Sequence, residues 1–183
     1  MPPPGVYEGV GVDPFWDKSP GADFAAQDVL YATLRAPAEG DRPGFYGNRW
    51  DQALRVGTAR LEVGKFKLTW ADIKRLTLRK DRPRQPVLRV DAVDEFGPLE
   101  SVRQTFAEPP ASKEKAREPD KRFASEINRR LAGAKRKDIF LYVHGYNVGF
   151  ENPVLVAAEL WHYLAYDGVA IAFSWPSNRG LLV

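Results

Sequence analysis

The feature that most constrains the fold is a pair of short apolar segments, residues 139–143 and 169–175, separated by one helical segment. The intervening sequence NPVLVAAELWHYLAYDG has Pro153 near its start and Gly168 at its end, and its apolar residues recur at helical spacing. Two buried strands around a helix of this length form a βαβ unit with parallel strands and a right-handed crossover. The sequence therefore predicts an α/β fold with a doubly wound, mostly parallel sheet.

The upstream sequence adds elements to the same domain. Three further strands are predicted, at residues 27–36, 54–63 and 86–97, the second with a β-bulge at Gly57. Two further helices are predicted, at residues 69–76 and 119–133. Two loops are predicted, at residues 37–50 and 98–118. Residues 1–26 are rich in Pro and Gly, and we expect an irregular arm whose aromatic residues pack on a single domain, residues 27–183.

Composition excludes several classes of protein. The absence of cysteine excludes disulfides, a thiol nucleophile and a zinc-thiolate site. The N-terminus has neither a basic nor an apolar signal region, and no apolar stretch reaches the roughly 18 residues that a membrane helix needs. We therefore expect a soluble chain without a membrane span, cytoplasmic as it stands, or in the cell envelope if a signal precedes it.

Charge and glycine patterns argue against most ligand classes. The net charge is +3, and residues 74–89 hold seven basic residues and one acidic residue. Because no aromatic residues interleave these charges, we predict a solvated face with a basic loop and expect no nucleic-acid partner, with a surface that binds nucleic acid or phosphate as the alternative. Asp91, Asp94 and Glu95 lack a histidine partner, so we predict a strand-end turn and no metal site. Dinucleotide and P-loop motifs are absent, so no cofactor is predicted.

The turn that follows residues 139–143, His-Gly-Tyr-Asn-Val-Gly-Phe, lies where parallel sheets bind ligands. Gly145 lets a ligand approach the backbone closely, and the N–H groups after it, at the mouth of a helix, can point at a negative oxygen. This pattern is typical of an anion or oxyanion site. A tight turn that needs glycine for its own geometry is the alternative, and spacing alone does not separate the two.

The same residues carry a resemblance to a known family. The sequence FLYVHGYNVGFENPVLVAAELWHYLAYDGVAIAFSWPSNRG resembles the core of a bacterial α/β-hydrolase family of unknown function, and looser likeness extends over residues 29–180. The resemblance implies an oxyanion hole at Gly145 and Tyr146, with the Tyr146 N–H as donor. It also implies that His144 structures the turn and is not the catalytic base. Three residues would line the pocket, with core packing as the alternative for the last: Asn147, Ser174 and Trp175.

The chain departs from this family in its missing nucleophile. No serine lies in a Gly-x-Ser-x-Gly elbow, and His162, the one other histidine, lies within the predicted helix. We therefore predict no catalytic residue in this chain and expect the triad beyond Val183. The complete protein would be a serine esterase or lipase-like enzyme acting on a small ester or acyl substrate, and this chain would be inactive alone. A non-catalytic module that binds protein on the same scaffold is the alternative.

The implied strand order also leaves residues 139–143 at a free edge of the sheet. The segment is apolar, with Leu141 and Val143 facing one side and Phe140 and Tyr142 the other, and no lysine or proline interrupts it. An unpaired apolar strand is a template for pairing with another chain. We therefore predict self-association through this edge.

Overall fold

The computed structural model describes residues 13, 15, 28–39, 45–64, 69–78, 87–99 and 113–177. Five strands are present: β1 (Val29–Pro37), β2 (Tyr46–Val63), β3 (Leu88–Pro98), β4 (Ile139–Val143) and β5 (Val169–Ser174). Three helices accompany them: α1 (Trp70–Thr77), α2 (Lys113–Gly133) and α3 (Glu151–Tyr163). The segment β4–α3–β5 is the predicted βαβ unit, and its bounds lie within a few residues of the prediction.

The five strands form one sheet in the order β3-β2-β1-β5-β4. β5 pairs in parallel with β4 and with β1, whereas β2 pairs antiparallel with both of its neighbours. The prediction of a mostly parallel sheet is therefore wrong, because the long strand β2 makes most of the pairing antiparallel. Only residues 38–45 separate β1 from β2, and this connection is too short for the crossover of about a dozen residues that parallel strands need.

Helices cover both faces of this sheet. α3 packs on one face, where a buried cluster joins Val154 and Ala157 to Val29, Tyr31 and Ala172. α2 packs on the opposite face, where Leu30, Val169 and Ile171 are buried. The α2 residues that pack against them are Phe123, Ile127 and Leu131. β1 and β5 are thus buried on both sides, which explains their nearly continuous apolar sequences.

The start of α1 agrees with the sequence prediction, and the starts of α2 and β2 differ from it. α1 begins with the predicted capping box between Thr69 and Asp72. α2 starts at Lys113 and carries Pro119 inside it, so the prediction of a helix start at Pro119 is wrong. β2 starts at Tyr46, within the predicted loop 37–50, because a register irregularity lets its first residues pair with the end of β1.

The predicted arm is described at two positions. Phe15 is 1% exposed and lies against the ring of His162, with ring centroids 5.0 Å apart, and Asp13 forms an ion pair with Lys74. One aromatic residue of the arm therefore packs on the body of the protein, as predicted. Trp16 and Phe24 lie outside the described residues. Among those residues, no helix is long and apolar enough to cross a membrane.

β4 is the last strand on its side of the described sheet. Its side chains at Ile139, Leu141 and Val143 are 50%, 58% and 53% exposed. Leu141 lies in register with Ile171, so these side chains occupy the α2 face of the sheet, and α2 leaves them largely uncovered. The strand is thus an apolar edge, which is the geometry that the predicted self-association requires.

We predict that this edge drives self-association. The unaltered chain should sediment as a larger species at higher concentration, and Leu141→Lys should shift it toward monomer because a charge on the edge opposes pairing. Leu160→Lys is the matched control, since Leu160 is 41% exposed on α3, away from the edge. Analytical ultracentrifugation measures the effect. A chain that stays monomeric at every concentration contradicts the prediction.

Gly57 allows two strands and a tyrosine to meet in the core. The register of β2 against β3 shifts between Val56 and Gly57, but the extra residue there is Phe96 of β3, and β2 pairs with β1 without interruption at Gly57, so the predicted bulge at Gly57 is wrong. A Cβ atom at Gly57 would lie 2.3 Å from the Asp94 carbonyl oxygen and 2.6 Å from the Tyr31 hydroxyl. The backbone contact cannot be relieved by a rotamer change, so any larger residue must push β2 and β3 apart.

We therefore expect Gly57→Ala to lower the free energy of unfolding by about 3 kcal/mol, the cost of overpacking a tight core. Gly133→Ala is the control, because no heavy atom of the described chain lies within 4 Å of the Cβ it would add. Urea denaturation followed by circular dichroism measures both variants. Equal stabilities would show that β2 and β3 separate at little cost.

Candidate active site

The candidate site lies where the carboxyl ends of three parallel strands meet. Thr33 near the end of β1 lies in register with Ser174 at the end of β5, and Val143 at the end of β4 lies in register with Phe173. The chain leaves β4 through the turn at residues 144–150 and leaves β5 through residues 175–177. These two segments therefore lie side by side at one edge of the sheet, the usual place for a ligand in this architecture.

His144 is held by hydrogen bonds on both ring nitrogens. Its Nδ1 lies 2.7 Å from the Gly145 carbonyl, and its Nε2 accepts the backbone N–H of Trp175 at 3.0 Å. These partners assign a neutral ring with the proton on Nδ1. The ring is 4% exposed and stacks on Trp175 at an interplanar angle of 6°. Burial is the main cause that lowers the pKa of His144, the Gly145 carbonyl opposes it, and the positive charge of Arg35 lowers it further.

Ser177 fastens the turn to the segment after β5. Its carbonyl oxygen accepts the N–H of Asn147 at 3.3 Å, and its hydroxyl accepts the N–H of Val148 at 3.1 Å. Asn147 adopts a left-handed conformation with φ 57°, which asparagine tolerates better than most residues. Within the described chain, no acceptor engages the N–H of Tyr146. The hydrogen bonds within the described chain thus leave free the N–H that the family resemblance implies as an oxyanion-hole donor.

Gly145 has no structural need for glycine within the described residues. Its φ is not in the left-handed region, and apart from its two chain neighbours no heavy atom of those residues lies within 4 Å of a Cβ built on it. The residue is exposed, and so is Tyr146, at 64%. The alternative of a turn that requires glycine for its own geometry therefore gains no support, and the described residues leave room for a side chain at Gly145.

Arg35, near the end of β1, is the largest fully buried side chain in the described structure. Its Nε donates to the Ser174 hydroxyl at 2.8 Å, and its guanidinium also binds the Gly47 and Val148 carbonyls and the Asn48 side chain. Burial lowers its pKa. Arg35 thus joins β1, β2, β5 and the turn at a single group, and sequence analysis did not select it.

The predicted pocket residues occupy different environments. Ser174 is fully buried, and its hydroxyl accepts from Arg35. Trp175 is half-buried, its indole N–H donates to the His144 carbonyl at 3.1 Å, and its ring lies 6.4 Å from that of Trp50, which is 59% exposed. Asn147 is exposed at the mouth of the turn. Asn147 and Trp175 therefore expose surface at this edge of the sheet, whereas the Ser174 side chain is buried.

The remaining candidates lie away from this edge. His162 lies near the end of α3, which runs from the carboxyl end of β4 back to the start of β5, so it lies toward the opposite edge of the sheet. Its Nε2 is 2.6 Å from the Thr77 hydroxyl. Asp94 pairs with Arg122, and Glu95 pairs with Arg55. No group of acidic or histidine residues in the described chain is arranged to hold a metal ion.

Two residues at the site were not selected from the sequence. Arg35 is a charged residue within an otherwise apolar or β-branched segment, and a charge in a buried strand indicates a polar network. Ser177 belongs to the Ser-Trp-Pro-Ser sequence after β5 but gave no sign that it would bind the turn. Its role depends on the proximity of two strand ends, which the sequence does not show directly.

Residues 120–182 match the model of a protein family described as an alpha/beta hydrolase of unknown function (DUF900). The matched segment contains most of α2 and all of β4, α3 and β5, together with the turn at residues 144–150. The resemblance stated from the sequence is therefore confirmed over this segment. No curated protein and no solved structure matches the chain significantly.

The environment of His144 predicts a pH dependence of stability. Its pKa in the folded state lies below the ordinary value of 6.5, so the unfolded chain binds more protons between those two values. The stabilising effect of neutral His144 is complete above pH 6.5 and declines as the pH falls below it. We expect the free energy of unfolding of His144→Gln to fall less between about pH 7.5 and about pH 5 than that of the unaltered protein, because glutamine does not titrate. Urea unfolding at about pH 5 and about pH 7.5 measures it, and identical pH slopes in both proteins would contradict the prediction.

Proposed function

We propose that this chain provides the oxyanion-binding part of a carboxylic ester hydrolase of the serine esterase or lipase-like type. The observation that carries the proposal is the free N–H of Tyr146 beside an open glycine at the carboxyl edge of the sheet. Acyl transfer develops negative charge on the carbonyl oxygen, and fixed backbone N–H donors stabilise that charge. The match of residues 120–182 to an α/β-hydrolase family supports the same chemistry.

The geometry of the turn suits this role. Asn147 and Val148 are tied to Ser177, and His144 is tied to Trp175, so the peptide between Gly145 and Tyr146 is fixed on both sides. A donor fixed before the reaction needs no reorganisation when charge develops, which is the source of its catalytic effect. Exposed Trp50 and half-buried Trp175 offer an apolar surface beside the turn for the acyl or alcohol part of an ester.

We infer that the nucleophile of this proposed enzyme is not among the described residues. No serine among the 183 residues lies in a nucleophile elbow, and both histidines are engaged, His144 by Trp175 and His162 by Thr77. An oxyanion donor without nucleophile and base gives only a weak rate enhancement. The proposal therefore assigns turnover to a longer protein and none to this chain alone.

We predict that the 183-residue chain neither hydrolyses p-nitrophenyl butyrate nor reacts with a fluorophosphonate probe. In a longer protein containing the nucleophile, Gly145→Val should lower kcat by about 10²–10³, because its side chain fills the space where the acyl oxygen docks. Tyr146→Phe should change kcat little, since the donor is an N–H and not the phenol. Steady-state kinetics of the variants provides the measurement.

Gly145→Ala is the matched control for this experiment. No described heavy atom lies within 4 Å of its Cβ, so both substitutions at Gly145 should leave the fold intact, and the smaller one should reduce kcat less. Equal damage by Tyr146→Phe and Gly145→Val would show that the roles are wrongly assigned. Saturable turnover and fluorophosphonate labelling of the chain alone would overturn the proposal that the nucleophile lies elsewhere.

A non-catalytic module that binds protein is the second candidate. The observation that favours it is the β4 edge, where Ile139, Leu141 and Val143 expose about half of their surface. The same kinetic experiment separates the candidates. A longer protein that shows no turnover and no fluorophosphonate labelling, with the β4 edge occupied by a partner, would support the module.

A further inference from the structure

Arg35 is a buried charge that lacks a counter-ion among the described residues. Its side chain is 0% exposed, and its recorded partners are the hydroxyl of Ser174, two backbone carbonyls and the amide oxygen of Asn48. All of these partners are neutral. Two partly buried arginines pair with carboxylates instead, Arg55 with Asp51 and Glu95, and Arg130 with Glu126. Arg35 thus keeps a full positive charge at the carboxyl edge of the sheet.

A buried cation without a carboxylate is expensive for stability alone. Moving an ion out of water is unfavourable, and neutral hydrogen-bond partners offset that cost only in part. A neutral side chain could join the same carbonyls at a lower desolvation cost. The position of the charge therefore points to a role beyond cross-linking the strands.

The charge contacts the turn that contains the proposed oxyanion donor. One Nη of Arg35 donates to the carbonyl of Val148, two residues after Tyr146 in the same turn. The Nε of Arg35 donates to the Ser174 hydroxyl. Ser174 directly precedes Trp175, whose N–H donates to the His144 ring. The charge also reaches the ring of His144, whose pKa it lowers. The positive potential of Arg35 therefore extends over the turn that contains the free N–H.

We propose that Arg35 is the positioning residue of the turn at residues 144–150, and that its charge makes the Tyr146 N–H site selective for carboxylates and other acyl oxyanions. This inference rests on the proposed function and names the chemical class that the site recognises. Arg35 does not touch the ligand, because its side chain is fully buried. It fixes the turn through Val148 and raises the affinity of the exposed N–H for a negative oxygen.

The experiment uses sodium butyrate, the carboxylate product of butyrate ester hydrolysis, as the probe. Binding is followed in the 183-residue chain through the backbone amide signals of Gly145 and Tyr146 in ¹⁵N NMR spectra. Arg35→Lys and Arg35→Gln form a matched pair, because both lose the guanidinium fork and only the lysine variant keeps the charge. We expect the glutamine variant to bind butyrate about tenfold more weakly than the lysine variant.

The titration of His144 reports the effect of the Arg35 charge in the absence of any ligand. The ring of His144 should titrate at a higher pH in Arg35→Gln than in Arg35→Lys, since only the glutamine variant removes the positive charge. If Arg35 had a purely structural role, the two substitutions would shift the titration of His144 equally. Equal butyrate affinities and equal His144 titrations in the two folded variants would overturn the proposal for Arg35 and leave the Tyr146 donor in place.

Two measurements on the unaltered chain keep the proposal testable if the variants fail to fold. Butyramide, a neutral analogue of butyrate, should bind at least about tenfold more weakly if charge governs selection. The affinity for butyrate should change little with added salt, because a buried charge is screened less than exposed lysines are. Equal binding of butyramide and butyrate would overturn the proposal. Butyrate that leaves the Tyr146 amide signal unchanged would overturn the oxyanion assignment as well.

Discussion

The pairing of β1 with β5 determines where every element of the candidate site lies. β1 pairs antiparallel with β2 on one side and in parallel with β5 on the other, so it joins the two halves of the sheet. Its residues Val29, Leu30 and Tyr31 are almost completely buried, because both faces of the strand are covered. Since β1 and β5 run in the same direction, their carboxyl ends coincide. The Thr33 hydroxyl donates to the Ser174 carbonyl at 2.8 Å and fixes that coincidence.

Hydrogen bonds at this edge divide the polar groups into two sets. His144, Ser177 and Arg35 use their side chains to fasten backbone to backbone, and their atoms are buried. The N–H of Tyr146 belongs to the other set, because it lies in an exposed residue and the described chain offers it no acceptor. A free N–H is costly in a buried place but costs little in contact with water. The turn is therefore rigid and still presents one donor to solvent.

The sequence predicted the elements that depend on local patterns. The bounds of β4, the capping box of α1 and the end of α2 at Gly133 follow from apolar spacing, capping residues and glycine. The direction of β2 was not predicted, because the predicted loop at residues 37–50 was long enough for a crossover, whereas the actual connection, residues 38–45, is too short for one. Likewise, the contact of Arg35 with Val148 joins residues far apart in sequence. The turn was located from sequence, but the group that holds it in place required the fold.

The apolar edge and the candidate site meet at the same point. Val143, the last residue of β4, is 53% exposed, and His144 and the turn follow it directly. A strand that pairs in parallel with β4 has its own carboxyl end beside residues 144–150, since parallel strands end at the same edge of a sheet. Residues that follow such a strand would then face the Tyr146 N–H. A strand paired with the β4 edge would therefore bring the residues after it to the proposed oxyanion donor, and the enzymatic and protein-binding candidates differ chiefly in what occupies that edge.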